Sequence, residues 1–369
     1  MAAPKIEAVI YDDGFLLRNV TIGRGFHWER REDQRFAGRL RIVKQGDMEI
    51  AVNDIDVEEY LVSVISSEMK ADLPFEALKA HAVISRGWVL NQKLNRNRSQ
   101  DGMVDNDREI IKWYDNNDHK LFDVCADDHC QRYQGITRAT SPRVRAAVEA
   151  TRGRVLLYKG KLCDARFSKC CGGVMEQFST CWGDEEHPYL KGGRDAASPS
   201  VPNLADEDEA RRWILSRPDS YCNVRDEALL HKIMNSYDCE TADFYRWSLE
   251  YSREELSDIV CRRSGRRLGL ISDLIPLSRG VSGRISRLRI VGEEGELVVG
   301  KELEIRRILS ESHLYSSAFV VDKHSRGFTL RGAGWGHGVG LCQIGAAVMA
   351  GNGCSCDEIL AHYYPGSIF

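Results

Sequence analysis

Short runs of alternating apolar and polar residues occupy positions 1 to 53: Glu7 to Tyr11, Arg39 to Val43 and Met48 to Val52, with turn residues between them. A period of two predicts β-strands, which form a small N-terminal sheet. At Asp56 the period lengthens. Asp56 reads as an N-cap with Glu59 three residues on as its capping-box partner, and Tyr60, Leu61, Val64 and Ile65 lay an apolar stripe on the helix that follows. Pro74 suits the first turn of a second helix, whose stripe is Ala77, Leu78, His81, Ile84, Ser85 and Trp88. Residues 100 to 118 are polar and weakly patterned around a short amphipathic piece, Ile110, Ile111, Trp113 and Tyr114. A helix over 144–151 and strands over 155–158 and 162–167 follow. The stretch 195–265 is charged and helical, so it reads as an insertion or peripheral subdomain. Strands return at 285–291, 296–299, 318–321 and 327–330. The pattern predicts an α+β fold, with a helical segment packed on a mixed or antiparallel β-rich body and a peripheral helical insertion. Its divisions are 1–53, a β-rich segment, and 54–369, the main domain.

One stretch departs from both periods. Between Gly332 and Gly345 lie six glycines, bracketing Trp335, His337 and Gln343. Glycine this dense in an apolar run implies positive φ angles or a ligand touching the backbone. A buried turn that packs the C-terminus is the alternative. The run then becomes helical through Ala346, Ala347, Met349 and Ala350, and the chain closes on His362, Tyr363, Tyr364, Pro365 and Gly366.

Composition narrows the function. A hydrophobic content of 43% is ample for a packed core. A net charge of -4 with 29% charged residues argues against a nucleic-acid surface, which needs a basic face. No apolar run reaches the roughly 18 residues of a membrane helix, and the N-terminus lacks the charged-then-apolar pattern of a signal peptide. Of the twelve cysteines, Cys125/Cys130, Cys170/Cys171 and Cys354/Cys356 are close pairs. The scattered six, Cys163, Cys181, Cys222, Cys239, Cys261 and Cys342, read as small buried apolar residues.

One cysteine pair has histidines for company. His119, Cys125, His129 and Cys130 fall within twelve residues and give two nitrogens and two sulfurs, a set that suits tetrahedral zinc. Four protein ligands leave no open position, so such a zinc is structural. Asp127 and Asp128 would orient the histidines. A polar loop holding two buried thiols is the alternative.

Glu68 lies just after the first helix, at the junction with the next and flanked by apolar Ile65 and Met69, a place for a partly desolvated carboxylate suited to acid–base work. The same stretch carries a resemblance. Tyr60-Leu61, Val64, Glu68-Met69 and Pro74 to Ala80, together with Gly332 to Gly340, Gln343, Gly345-Ala346 and Tyr363 to Gly366, closely resemble the SpoIID/LytB domain family of bacterial sporulation and cell-wall proteins. The resemblance implies cleavage of peptidoglycan glycan strands by a lytic transglycosylase, with Glu68 as catalytic acid and base. Its second implication is a non-catalytic, wall-binding enhancer of a separate amidase. Some relatives carry zinc on a comparable His/Cys cluster. Either activity implies an extracytoplasmic, cell-envelope location and, as partners, glycan strands or an amidase.

Lys79 and Arg86, two helical turns apart, project from one face and would hold the lactyl carboxylate of N-acetylmuramic acid; a solvated helix face is the alternative. His337 and Gln343 match family residues and suit sugar hydroxyl or N-acetyl groups, and Trp335 offers a stacking face. Ser168 precedes Lys169, Cys170, Cys171 and a glycine pair where relatives carry Ser or Thr, so Cys170 and Cys171 would replace cleft hydroxyls. The family usually has Gln where this chain has His81, which reads as a core histidine. Glu58, Asp72 and Glu76 are rival carboxylates.

Overall fold

The computed structural model describes residues 6–25, 29–95, 102–113, 119–139, 141–235, 238–240 and 243–368. Helices pack against mixed and antiparallel sheets, as an α+β pattern requires. At the N-terminus Ala8–Tyr11, Gly14–Ile22 and Arg30–Ala37 form an antiparallel sheet, and Arg39–Gln45 pairs with Met48–Asp54 as a separate hairpin. The alternating runs thus make two small units.

Helix α1 (Val57–Glu68) starts at Asp56, whose side chain accepts from the Glu58 N–H at 2.9 Å. The expected capping box is incomplete. Glu59 reaches Arg145 at 2.9 Å, because a guanidinium on the neighbouring helix Pro142–Ala150 attracts the carboxylate more strongly than the Asp56 backbone does. Helix α2 (Phe75–Asn95) buries all six residues of its expected stripe. It packs against α1, Pro142–Ala150, Gln343–Gly351 and Cys356–Tyr363. These helices share one hydrophobic core, which includes Leu61, Ile65, Leu78, Ile84, Val144, Ile344 and Leu360.

A second core lies under the sheets. Ile271–Arg279, Ile285–Gly292 and Glu296–Gly300 run antiparallel, and Glu296–Gly300 pairs in parallel with Glu109–Trp113, which pairs with Gly102–Asp105. The short amphipathic piece is therefore a strand; residues 100–101 and 114–118 of the polar stretch, Tyr114 among them, lie outside the described residues. The segment 195–265 holds the helices Glu207–Leu215, Glu227–Ile233 and Arg253–Ser264, and also the strand Arg246–Ser252. That strand pairs along its whole length with Gly327–Ala333, which leads into the glycine-rich stretch. No helix among the described residues is long and apolar enough to cross a membrane.

Candidate active site and His/Cys cluster

The middle of the main domain meets its C-terminal part where Phe167–Ser168 pairs in parallel with Leu341–Cys342. The glycine run earns its residues by packing against its own chain. At Gly338, φ is 73° and a Cβ would meet the Arg284 guanidinium at 2.4 Å; at Gly340, φ is 71° and a Cβ would meet the Arg166 carbonyl at 2.0 Å. Arg284 is fully buried and donates to the carbonyls of Gly336 and Cys171, fixing the turn. Positive φ and close internal approach explain the glycines together.

This turn delivers Gln343, the first residue of the helix Gln343–Gly351, to Glu68. Glu68 is 7% exposed at the end of α1. Its Oε1 accepts from the Arg132 backbone N–H at 3.1 Å, and its Oε2 from the Gln343 amide at 3.4 Å. The same amide donates to His81 Nε2 at 2.9 Å. Burial, aided by the charge of Lys169, pulls the His81 pKa down to about 3, so the ring is neutral. A neutral ring that accepts at Nε2 carries its proton on Nδ1, which faces Ser85 Oγ at 3.3 Å. His81 is thus buried and also orients Gln343.

Glu68 lines a cavity of about 240 Å³. Trp88, Trp182, Tyr315 and Trp335 supply aromatic surface to its walls, with Trp335 stacked on Tyr315 at 4.2 Å between ring centroids. Ser168, His337 and Gln343 also line it. Ser168 Oγ is buried and has no hydrogen-bond partner among the described residues, leaving it available to a bound group. His337 packs edge-on against Trp182 at 4.7 Å, and its Nδ1 accepts from the Val339 N–H at 3.0 Å. Desolvation, then the nearby Arg166, holds its pKa well below the ordinary histidine range, so it too is neutral.

Positive charge enters the cavity from residues that the pattern did not single out. Arg132 and Lys169 both bind Asp238, at 3.0 Å each, and the Lys169 ammonium also donates to the Glu68 carbonyl at 3.1 Å. Burial raises the Asp238 pKa, but the charges of Arg132 and Lys169 outweigh it and the net shift is downward. Arg166 and Arg306 complete the cationic lining. Lys169 and Arg132 had a sequence signal, being next to Ser168 and two residues after Cys130; Asp238 had none.

Lys79 and Arg86 do not reach the cavity. Lys79 pairs with Glu76 at 2.9 Å, and Arg86 is 1% exposed, held by Glu58 at 2.6 and 2.9 Å. Arg86 faces inward because α2 is covered on that side by α1 and by the carbonyls of Val148 and Arg154. Cys170 and Cys171 are buried behind the cleft and do not line it. Of the rival carboxylates, Glu58 and Glu76 are therefore held in ion pairs away from the cavity.

His119, Cys125, His129 and Cys130 converge, with their ligand atoms within 4.8 Å of one another. Cys130 Sγ stands 3.4 Å from His119 Nε2 and 3.5 Å from His129 Nδ1. Ligands around a tetrahedral zinc, at about 2.3 Å for sulfur and 2.0 Å for nitrogen, stand about 3.5 Å apart, so the set fits. Cys125 and Cys130 act on each other as one pair: their contact draws the Cys125 thiol down and pushes the Cys130 thiol up, as expected of two sulfurs that share a proton. Asp128 does not orient a histidine; its carboxylate accepts from Arg132, the nearer cation. His119, His129 and Cys130 also line the Glu68 cavity.

A profile of the stage II sporulation protein family matches residues 45–158, and one of a domain of unknown function matches residues 176–340. The chain is 27% identical over 363 residues to an uncharacterized protein of Brachyspira hyodysenteriae, covering 98% of this chain and 76% of that one. It is 24% identical to stage II sporulation protein D of Bacillus amyloliquefaciens, over 86% of this chain and 74% of the relative. It is 25% identical to the amidase enhancer of Bacillus subtilis over 83% of this chain, which spans only 40% of that protein.

Proposed function

We propose that this chain, a homologue of stage II sporulation protein D and the amidase enhancer, binds peptidoglycan glycan strands at the Glu68 cavity and cuts them by a lytic transglycosylase reaction. The observation that carries the reading is Glu68 on the wall of an aromatic-lined cavity, its carboxylate held by Gln343 from the far end of the chain. Trp335, Trp182 and Tyr315 suit sugar faces, and Ser168, His337 and Gln343 suit hydroxyl and N-acetyl groups. Arg166, Lys169 and Arg306 replace Lys79 and Arg86 as partners for the lactyl carboxylate.

Glu68 would protonate the glycosidic oxygen as the bond to the anomeric carbon breaks. It would then take the proton of the sugar's own C6 hydroxyl as that oxygen bonds to the same carbon, giving a 1,6-anhydro end. One carboxylate suffices because the nucleophile is intramolecular, whereas ordinary glycosidases use a pair. His119, Cys125, His129 and Cys130 would hold zinc. With four protein ligands it supplies cross-linking, and it braces the part of the cavity wall that His119, His129 and Cys130 form. The site of action is the cell envelope.

The relatives' names support a second reading, a wall-bound enhancer of an amidase, since one is called an amidase enhancer and none names a glycan-cleaving activity. Purified chain incubated with stem-peptide-free glycan separates the two. Release of anhydro-sugar ends supports the lytic reading; stimulation of a cell-wall amidase without such ends supports the enhancer. Cys125→Ser is expected to remove zinc and lower the melting temperature together, and unchanged zinc content would reject it as a ligand.

A further inference from the structure

We propose that the chain holds a second, fully enclosed metal site, built from Cys171, Cys222, Cys342 and Asp195 and suited to zinc or another divalent ion that favours tetrahedral thiolate ligation. The four residues come from four separate segments, and their ligand atoms lie within 4.8 Å of one another. All are buried, with Asp195 and Cys342 at 0% exposure and Cys171 and Cys222 at 2%. None lines the Glu68 cavity.

The spacing fits a tetrahedron around an ion. Sulfurs at about 2.3 Å from zinc stand about 3.8 Å apart, and a sulfur and a carboxylate oxygen about 3.5 Å. Cys171 Sγ lies 3.6 Å from Cys222 Sγ and 3.3 Å from Asp195 Oδ2. The same 3.6 Å is much too long for an S–S bond of about 2.05 Å, and every cysteine in the chain is free.

Two further observations point to a cation. Asp195 is a completely enclosed carboxylate, and burying such a charge requires an opposite charge or a metal. Among the described residues its ion-pair partner is His362, whose Nε2 stays 3.7 Å away. The Tyr363 hydroxyl donates to Oδ1 at 2.8 Å and the Cys222 N–H to Oδ2 at 3.2 Å, but neither brings net charge. The sulfurs, in turn, accept backbone N–H groups: Cys342 Sγ from Cys171 at 3.3 Å and Cys171 Sγ from Gly173 at 3.4 Å. Hydrogen bonds of this kind stabilise thiolates, as groups around a metal's ligands do. Binding one divalent ion would release three thiol protons and leave the carboxylate as it is. Four protein ligands close the shell, so the metal is structural.

Its place gives it a task. Cys342 precedes Gln343, and Cys171 follows Lys169 by two residues. The ion would tie the strand pair Phe167–Ser168 and Leu341–Cys342 to the loop carrying Cys222, fixing two residues that touch Glu68 from behind the cavity.

Metal content of the untagged full chain tests this, read by native mass spectrometry and elemental analysis. Cys222→Ala should carry one metal equivalent fewer than wild type, and the loss should add to the separate loss caused by Cys130→Ser. Equal metal content in wild type and Cys222→Ala overturns the site. Because Cys222→Ala could misfold, unmutated protein provides the second measurement. Stripping its metal with a chelator should open Cys171, Cys222 and Cys342 to alkylation, as read by peptide mapping. Thiols that stay closed after complete metal loss, or a Cys171–Cys222 disulfide in the purified chain, overturn it equally.

Discussion

Helix α1 carries a glutamate near each end, and the two are equally buried: Glu58 is 6% exposed and Glu68 7%. Their company differs. Glu58 meets the Arg86 guanidinium through two short hydrogen bonds and accepts a third from the Gly153 N–H. The hydrogen bonds to the Glu68 carboxylate come from neutral donors, the Arg132 N–H and the Gln343 amide, and its remaining surface faces a cavity. Burial alone therefore does not mark a functional carboxylate. A bidentate guanidinium ties Glu58 into the core, whereas neutral partners and an open side leave Glu68 facing whatever the cavity binds.

Glu68→Gln is the strongest way to break the comparison. Anhydro-end release should fall by about 10²–10⁴-fold, the usual worth of a general acid, while glycan binding followed by tryptophan fluorescence and the melting temperature stay near wild type. Normal cleavage by this variant would place the chemistry elsewhere. Glu58→Gln should do the reverse. It leaves Arg86 buried and unpaired, a loss of about 3–5 kcal/mol in urea unfolding, with residual activity proportional to the folded fraction. If Glu58→Gln lost only activity, the two ends of α1 would not differ as described.

Asp238→Asn sharpens the contrast. It would free Lys169, which already donates to the Glu68 carbonyl, from its anion while Arg132 keeps Asp128, and so bring a cation to Glu68 as Arg86 is brought to Glu58. Cleavage should drop about 10-fold through a stabilised carboxylate, equivalent to about 1.4 kcal/mol, with the pH profile moved toward acid. A drop in stability with an unmoved profile would mean that Asp238 only braces the fold.

Much of this was legible in the chain. Helices α1 and α2 announce themselves by stripes that all turn inward, and Glu68 and Gln343 stand in the two densest motifs. Charge partnering was less legible. Lys79 and Arg86 share a face by spacing, but spacing does not say that Glu76 and Glu58 answer them. Asp238 sits in the charged stretch 195–265, where one more carboxylate carries no distinguishing signal, and only the fold brings it to Arg132 and Lys169. The strand Arg246–Ser252 was concealed although Trp247 and Tyr251 alternate with polar residues, because the charged helices on either side dominate the pattern. Cys342 and Cys222 read singly as apolar filler, since convergence of four segments leaves no mark on spacing.

The smallest effect near neutral pH concerns the group that positions Gln343 on Glu68. His81 is buried as a neutral ring with its pKa at about 3, while in the unfolded chain it titrates near 6.5. Between those values the unfolded state binds one more proton than the folded state, so stability rises with pH across that window and falls as pH drops through it. The slope is about 1.4 kcal/mol per pH unit, and the loss reaches about 2 kcal/mol at pH 5. His81→Gln keeps an amide that can still meet Gln343 but has no proton to gain. Urea midpoints for the two proteins should therefore run parallel above pH 7 and diverge below 6.5, with the variant the more acid-resistant. Parallel curves down to pH 4 would mean that His81 accepts a proton in the folded state. The amide of Gln343 would then lose its acceptor there, and the distinction between Glu68 and Glu58 would rest on the Arg132 N–H alone.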